Sequence, residues 1–177
     1  IHVKLYATLV LGCLYLQIAS HADLEENFRA FWVPAISTGS AIGQEALAGL
    51  EAEAAEALER QLETGFFEDV ITGPENRIGG ELRVNTELLL VLARAHETPG
   101  QAYFESEEAL TGYRKGLAAL ESVLEAGMDR PGNWWHWEIG IPKAYGPALI
   151  LMRDHIEPAL RQEALATLTY LIKDRPK

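Results

Sequence analysis

Residues 105–126 run Glu105-Ser106-Glu107-Glu108-Ala109-Leu110-Thr111-Gly112-Tyr113-Arg114-Lys115-Gly116-Leu117-Ala118-Ala119-Leu120-Glu121-Ser122-Val123-Leu124-Glu125-Ala126, and their reading decides the fold class. Leu110, Tyr113, Leu117, Leu120 and Leu124 recur at alternating spacings of three and four, which puts all five on one face of a helix. Such a seam has to be covered by another helix. Gly127 then stops the segment.

Outward from this helix the same period repeats. Upstream, a helix from about Glu81 to Glu97 carries Leu82, Leu88, Leu89, Leu92 and Ala95, and Thr98-Pro99-Gly100 ends it. Residues 65–80 hold Gly65, Gly73, Pro74, Gly79 and Gly80 and read as a loop. Before them a helix from about Gln44 to Thr64 has the stripe Leu47, Leu50, Ala54, Leu58 and Leu62, with Gly65 as its stop. Asp23 is a plausible N-cap for a first helix with Leu24, Phe28, Phe31, Trp32 and Ala35 on one face. Downstream, Pro142 suits the first turn of a helix with Tyr145, Leu149 and Met152 inward. Pro158 begins another, with Leu160, Leu165, Leu168 and Ile172. No alternating strand pattern of useful length occurs. Antiparallel helical hairpins joined by such loops predict an all-α layered array or toroid.

Composition agrees with a globular domain: of 177 residues, 48% are hydrophobic and 23% charged. Fifteen Lys and Arg against 26 Asp and Glu give a net charge of −11, which argues against nucleic acid or an anionic membrane as bulk partner. Residues 1–22 differ from the rest. Lys4 precedes an uncharged run from Leu5 to Ala19, followed by the small-x-small pattern Ser20-His21-Ala22, which reads as a secretory signal peptide. That run is shorter than the roughly 20 residues a membrane span needs. The only cysteine, Cys13, lies inside it, so no disulfide is expected after cleavage. Val10-Leu11-Gly12-Cys13 loosely matches a lipoprotein box, but apolar residues continue past the cysteine, and lipidation ranks second.

Common chemical signatures are absent. His96, His136 and His155 lie far apart, no His-Glu-x-x-His helix occurs, and no metal site is expected. There is no Gly-x-Ser-x-Gly elbow, and Gly39-Ser40-Ala41-Ile42-Gly43 lacks the lysine of a phosphate loop. What does stand out is Asn133-Trp134-Trp135-His136-Trp137-Glu138-Ile139-Gly140-Ile141-Pro142, with three of the four tryptophans in four positions. A buried indole removes about 150–250 Å² from water, roughly 4–6 kcal/mol at 25 cal/mol per Å² as an upper bound. Adjacent side chains point different ways on any regular backbone, so at least one indole leaves the core. Carried on a Gly/Pro-bounded loop between helices, such a cluster is either a core anchor or a flat platform for a ring-shaped ligand.

Several neighbours bear on that choice. Asn133 offers both an amide donor and a carbonyl acceptor to a sugar hydroxyl or carboxylate. Arg130 and Lys143 flank the segment as sources of positive charge or as solvated surface. Glu138 among indoles is a candidate general acid, but no spacing selects a second carboxylate from Glu68, Asp69 and Asp129. The plainer role for Glu138 is to favour the start of the next helix.

The motif Asn133-Trp134-Trp135-x-Trp137-Glu138-Ile139-Gly140-x-Pro142 resembles the signature loop of polysaccharide lyase family 8, the hyaluronate, chondroitin AC and xanthan lyases. The likeness extends through Phe66-Phe67-Glu68-Asp69, Leu88 to Ala95, Thr98-Pro99-Gly100 and the Gly116 to Leu124 helix. It implies a secreted or periplasmic enzyme whose first domain is an incomplete α/α toroid. It further implies cleavage of an acidic polysaccharide, of hyaluronan, chondroitin or xanthan type, by β-elimination, without metal or cofactor. In that chemistry an asparagine neutralises the uronate carboxylate while tyrosine and histidine move protons. Residue by residue the resemblance carries over Asn133, Trp134 and Trp135 as substrate-binding positions. It carries over no catalytic residue, because the family's asparagine, histidine and tyrosine lie well beyond this motif. Position 136 is His where the family usually has Asp, which exchanges a fixed charge for a titratable ring. The expectation is therefore a signal peptide at 1–22 and, at 23–177, the N-terminal portion of a toroid lyase domain, whose partner is the remainder of the lyase chain. A non-catalytic glycan-binding helical module is the alternative, and a helical scaffold with all three indoles buried is a third reading.

Overall fold

The structure is a computed structural model and describes residues 26–28, 31, 33, 41–68, 79–125 and 127–173. The chain divides into two compact units, Ile1–Ala35 and Ile36–Lys177. In the first, residues 26–28 and 31 are helical, inside the helix expected from Asp23; Leu24, Trp32, Ala35 and the expected signal peptide lie outside the described residues.

The second unit is all-α, as the periodicity predicts. Its helices are α1 (Ala41–Glu59), α2 (Gly79–Glu97), α3 (Glu107–Glu121), α4 (Ile141–Leu151) and α5 (Pro158–Lys173). A π turn, His136–Gly140, leads into α4, and a 3₁₀ turn, Arg153–His155, follows it. Among the described residues there is no strand, only a lone antiparallel bridge between Gln61 and Phe67. Helix α2 is the spine, packed against α4, α3 and α1. Its apolar face is Leu82, Leu89, Leu92, Ala93 and Ala95, all buried.

Three expected boundaries move, each for a local reason. Helix α1 ends at Glu59, not near Thr64, because the chain reverses at Gly65. Leu62 N donates to Phe66 O at 2.8 Å and Glu68 N to Arg60 O at 2.8 Å, and Phe66 and Phe67 are buried while Leu62 is exposed. Gly65 has φ +93°, and a Cβ there would lie 2.5 Å from Lys115 O, so both the backbone and the space demand glycine. Helix α2 starts at Gly79, inside the segment expected to be loop. Helix α3 starts later than the expected Glu105 and stops before Leu124, the last residue of its seam. The Ser106 side chain caps its start by accepting from Ala109 N at 3.1 Å, and the Ser122 hydroxyl donates to Ala119 O at 2.6 Å at its end. Leu124 remains buried in the turn beyond, so the five-residue seam is all core although the helix ends earlier.

One polar knot ties α3, α4 and α5 together. Glu121 accepts from the Tyr145 hydroxyl and, at 3.0 Å, from the Thr167 hydroxyl. Burial pushes the Glu121 carboxyl above the usual carboxylate range, and the two hydrogen bonds oppose that rise. Burial and then the nearby Glu121 charge push both the Tyr145 and Tyr113 hydroxyls up, so both stay neutral, and Tyr145 is the one that donates to Glu121.

Candidate functional site

The tryptophan segment is a helical turn rather than the loop its Gly and Pro content predicts. Asn133 Oδ1 accepts from Trp135 N at 3.0 Å, so this side chain caps the turn. Trp134 and Trp135 are helical, the π turn follows, and Ile141 N closes it by donating to His136 O. π turns recur where a helix has to present side chains for function. Gly140, which reads as a helix breaker, is instead a spacer. A Cβ on it would meet Arg83 Cδ at 2.7 Å and Trp135 Cζ3 at 3.1 Å.

This turn sorts the three indoles. Trp137 is 0% exposed, donates from Nε1 to Pro131 O at 2.9 Å, and lies against Gly79, where a Cβ would sit 2.7 Å from its ring. That contact explains why α2 opens on a glycine. Trp134 and Trp135 are 59% and 40% exposed. Two indoles therefore face solvent and one lies in the core, and the reading with all three buried is excluded. Ile139 is also exposed, and the His136 ring meets the edge of Trp135 at 5.6 Å between centroids. Asn133 commits its oxygen to the fold, and its exposed amide donor is the half left for a ligand.

The flanking charges resolve differently. Arg130 is a structural cation: Nη2 donates to Tyr170 O at 2.7 Å, and its guanidinium lies 4.1 Å over the Tyr170 ring. Lys143 is exposed. Arg83, which sequence reasoning missed, runs its stem beside Trp135 and Gly140 and pairs with Glu87. No local pattern could have found it, because α2 and the π turn are about fifty residues apart in the sequence. Glu138 is half-buried, and Asp69 lies outside the described residues.

Away from this turn, His96 and His155 meet despite their separation in sequence. Glu97 Oε1 lies 2.9 Å from His96 Nδ1 and 3.3 Å from His155 Nε2. Spacing along the chain had argued against a metal site, and the fold brings these three together. No helix among the described residues is long and apolar enough to cross a membrane.

Comparison with known proteins places this architecture. The family described as polysaccharide lyase family 8, N-terminal alpha-helical domain, matches residues 41–177. The chain is 30% identical over 84 residues to a hyaluronate lyase of Cutibacterium acnes, a match covering 47% of this chain and 10% of that enzyme. In fold it is similar to a xanthan lyase of Paenibacillus, with a TM-score of 0.69 at 19% identity over 85% of this chain and 15% of that one. It is equally similar to the chondroitin AC lyase of Streptomyces coelicolor A3, with a TM-score of 0.71 at 18% identity over 84% of this chain and 21% of that one. The chain spans about 10% of the length of the curated relatives it matches. Its antiparallel hairpins form part of an incomplete α/α toroid, the fold that the resemblance implied. With the tryptophan turn inside the matched region, the chain belongs to polysaccharide lyase family 8.

Proposed function

We propose that this protein serves the cleavage of a uronate-containing polysaccharide by β-elimination, and that Asn133, Trp134 and Trp135 hold the sugar chain. The observation that carries this reading is the sorting of the indoles: Trp134 and Trp135 are 59% and 40% exposed beside a fully buried Trp137. Two large apolar rings left in water on a rigid turn are expensive unless something covers them. A pyranose ring presents an apolar face that fits a flat indole, and the exposed Asn133 amide supplies a directional donor beside it. Exposed Lys143, ten residues after Asn133 in the sequence, is a source of positive charge on a chain of net charge −11, while the Arg83 guanidinium is ion-paired with Glu87.

In β-elimination a base removes the C5 proton of the uronate. Its electron pair becomes the C4–C5 double bond, the C4–O bond breaks, and the leaving oxygen takes up a proton. Neutralising the uronate carboxylate acidifies C5, and an asparagine does this by hydrogen bonding. In our reading those transfers belong to groups elsewhere in a longer enzyme, which the 10% coverage of the hyaluronate lyases supports. The reading includes export, on the strength of the signal-like residues 1–22.

The test is a tryptophan-fluorescence titration of the chain with hyaluronan and chondroitin oligosaccharides. Saturable binding is expected, with no unsaturated-uronate absorbance from the isolated chain. Absence of binding to any uronate polymer would remove the platform role. Unsaturated product would place the bond-breaking groups within these 177 residues.

A further inference from the structure

At the C-terminal end of α2, remote from the tryptophan turn, His96, Glu97 and His155 converge on one point. His96 is only 3% exposed, and Glu97 follows it as the last residue of the helix. His155 closes the 3₁₀ turn after α4. Arg114 Nε fixes that turn by donating to His155 O at 2.7 Å. One ligand atom from each residue fits within a 4.8 Å span. The two edges that Glu97 makes, His96 Nδ1 to Glu97 Oε1 at 2.9 Å and His155 Nε2 to Glu97 Oε1 at 3.3 Å, lie between about 0.5 Å below and the lower end of the spacing that a zinc ion's ligands take. Zinc–ligand bonds of about 2.0–2.1 Å in a tetrahedron put neighbouring ligand atoms roughly 3.3–3.4 Å apart. The imidazoles meet edge to face, with centroids 4.7 Å apart and planes at 69°, so both nitrogens can address a common ion without ring overlap.

We propose that His96 Nδ1, Glu97 Oε1 and His155 Nε2 form a three-ligand site for a divalent transition-metal ion of the zinc class, its fourth position open to the adjoining cavity. That cavity measures about 300 Å³ and is lined by the three ligands together with Phe104, Glu105 and Leu110. Two imidazoles and one carboxylate suit zinc; calcium and magnesium favour all-oxygen shells. The site sits where α2 ends, and the carbonyl dipoles of a helix C-terminus favour a cation. The Glu105 carboxylate on the cavity wall adds to the same field. Bound metal would clamp the end of α2 to the turn that leads into α5. It would leave one exchangeable position, for water or a small anion, facing the cavity.

The experiment uses the full chain without a histidine tag, loaded with Co(II) alone and with Zn(II) alone. One equivalent of metal per chain is expected, with the visible absorption of four-coordinate Co(II) and a rise in Tm on adding zinc. His155→Ala, on a half-exposed turn, keeps the core intact and should lower zinc affinity by about 100-fold or more, beyond the 10- to 100-fold typical of losing a supporting partner. Glu97→Gln should act likewise, while His136→Ala should bind as the parent does. Far-UV circular dichroism checks that each variant is folded. If the parent chain shows no stoichiometric metal and no cobalt spectrum, the three residues are a hydrogen-bonded cluster and the proposal fails. It fails equally if the cobalt spectrum survives in His155→Ala.

Discussion

Removing the exposed indoles one at a time tests whether the tryptophan turn is a platform. A complete indole side chain carries up to about 250 Å², so exposures of 59% and 40% leave roughly 150 Å² on Trp134 and 100 Å² on Trp135. A sugar stacked on one face covers about half of each, roughly 75 and 50 Å², which at 25 cal/mol per Å² is about 1.9 and 1.3 kcal/mol. Trp134→Ala should therefore weaken oligosaccharide binding about 25-fold and Trp135→Ala about eightfold. Neither should shift the urea midpoint much, because the surface lost is already in water. Isothermal titration with uronate oligosaccharides measures the first quantity and urea unfolding the second. Affinities within twofold of the parent in both variants would refute the platform, as would a loss of affinity that merely follows a loss of stability.

Other substitutions probe the support beneath the platform. Trp137→Ala empties a fully buried site and should cost about 3–5 kcal/mol in urea unfolding. Gly79→Ala drives a methyl to within 2.7 Å of the same ring and should cost about 1–3 kcal/mol; the penalty should shrink in the Trp137→Ala background, since the two positions share one contact. Gly65→Ala forces a side chain onto a φ of +93° and against Lys115 O, and should lower stability by about 1–3 kcal/mol. Glu121 gives a pH signature. Its folded carboxyl holds a proton at higher pH than the unfolded one, so its contribution is full below about 4.5 and is lost as pH rises through the folded value. The difference in unfolding free energy between the parent and Glu121→Gln should therefore change across that interval; a difference flat from pH 4 to 8 would contradict the buried-carboxylate account.

How much of this was legible in the sequence depended on range. The seam Leu110, Tyr113, Leu117, Leu120 and Leu124 is buried throughout, because helical period and burial obey one geometry. Boundaries failed where a single tertiary contact overrode a local signal. Gly79, Gly80 and Gly140 read as breakers, yet all three are helical, and Gly79 and Gly140 are small because Trp137, Arg83 and Trp135 press on them. Glycine marks both conformational freedom and close approach, and only the neighbour tells which. At the site, adjacency required only that at least one indole leave the core, and the choice of Trp134 and Trp135 came from the family resemblance. Arg83 beside Trp135 and His155 beside His96 followed from neither, because their partners come from other helices.

Helix α2 links the two features at its ends. Gly79 at its start packs on Trp137 of the tryptophan turn, and His96 and Glu97 at its end belong to the proposed metal site. Nineteen residues at 1.5 Å each set these ends about 27 Å apart. Across that distance, and with no shared side chain, substitutions at one end should add to those at the other within about 0.5 kcal/mol. A His155→Ala, Trp134→Ala double variant should then lose sugar affinity as Trp134→Ala does and metal affinity as His155→Ala does. Coupling well beyond that margin would mean that α2 transmits strain between its ends, and that the metal cluster and the sugar platform work as one device.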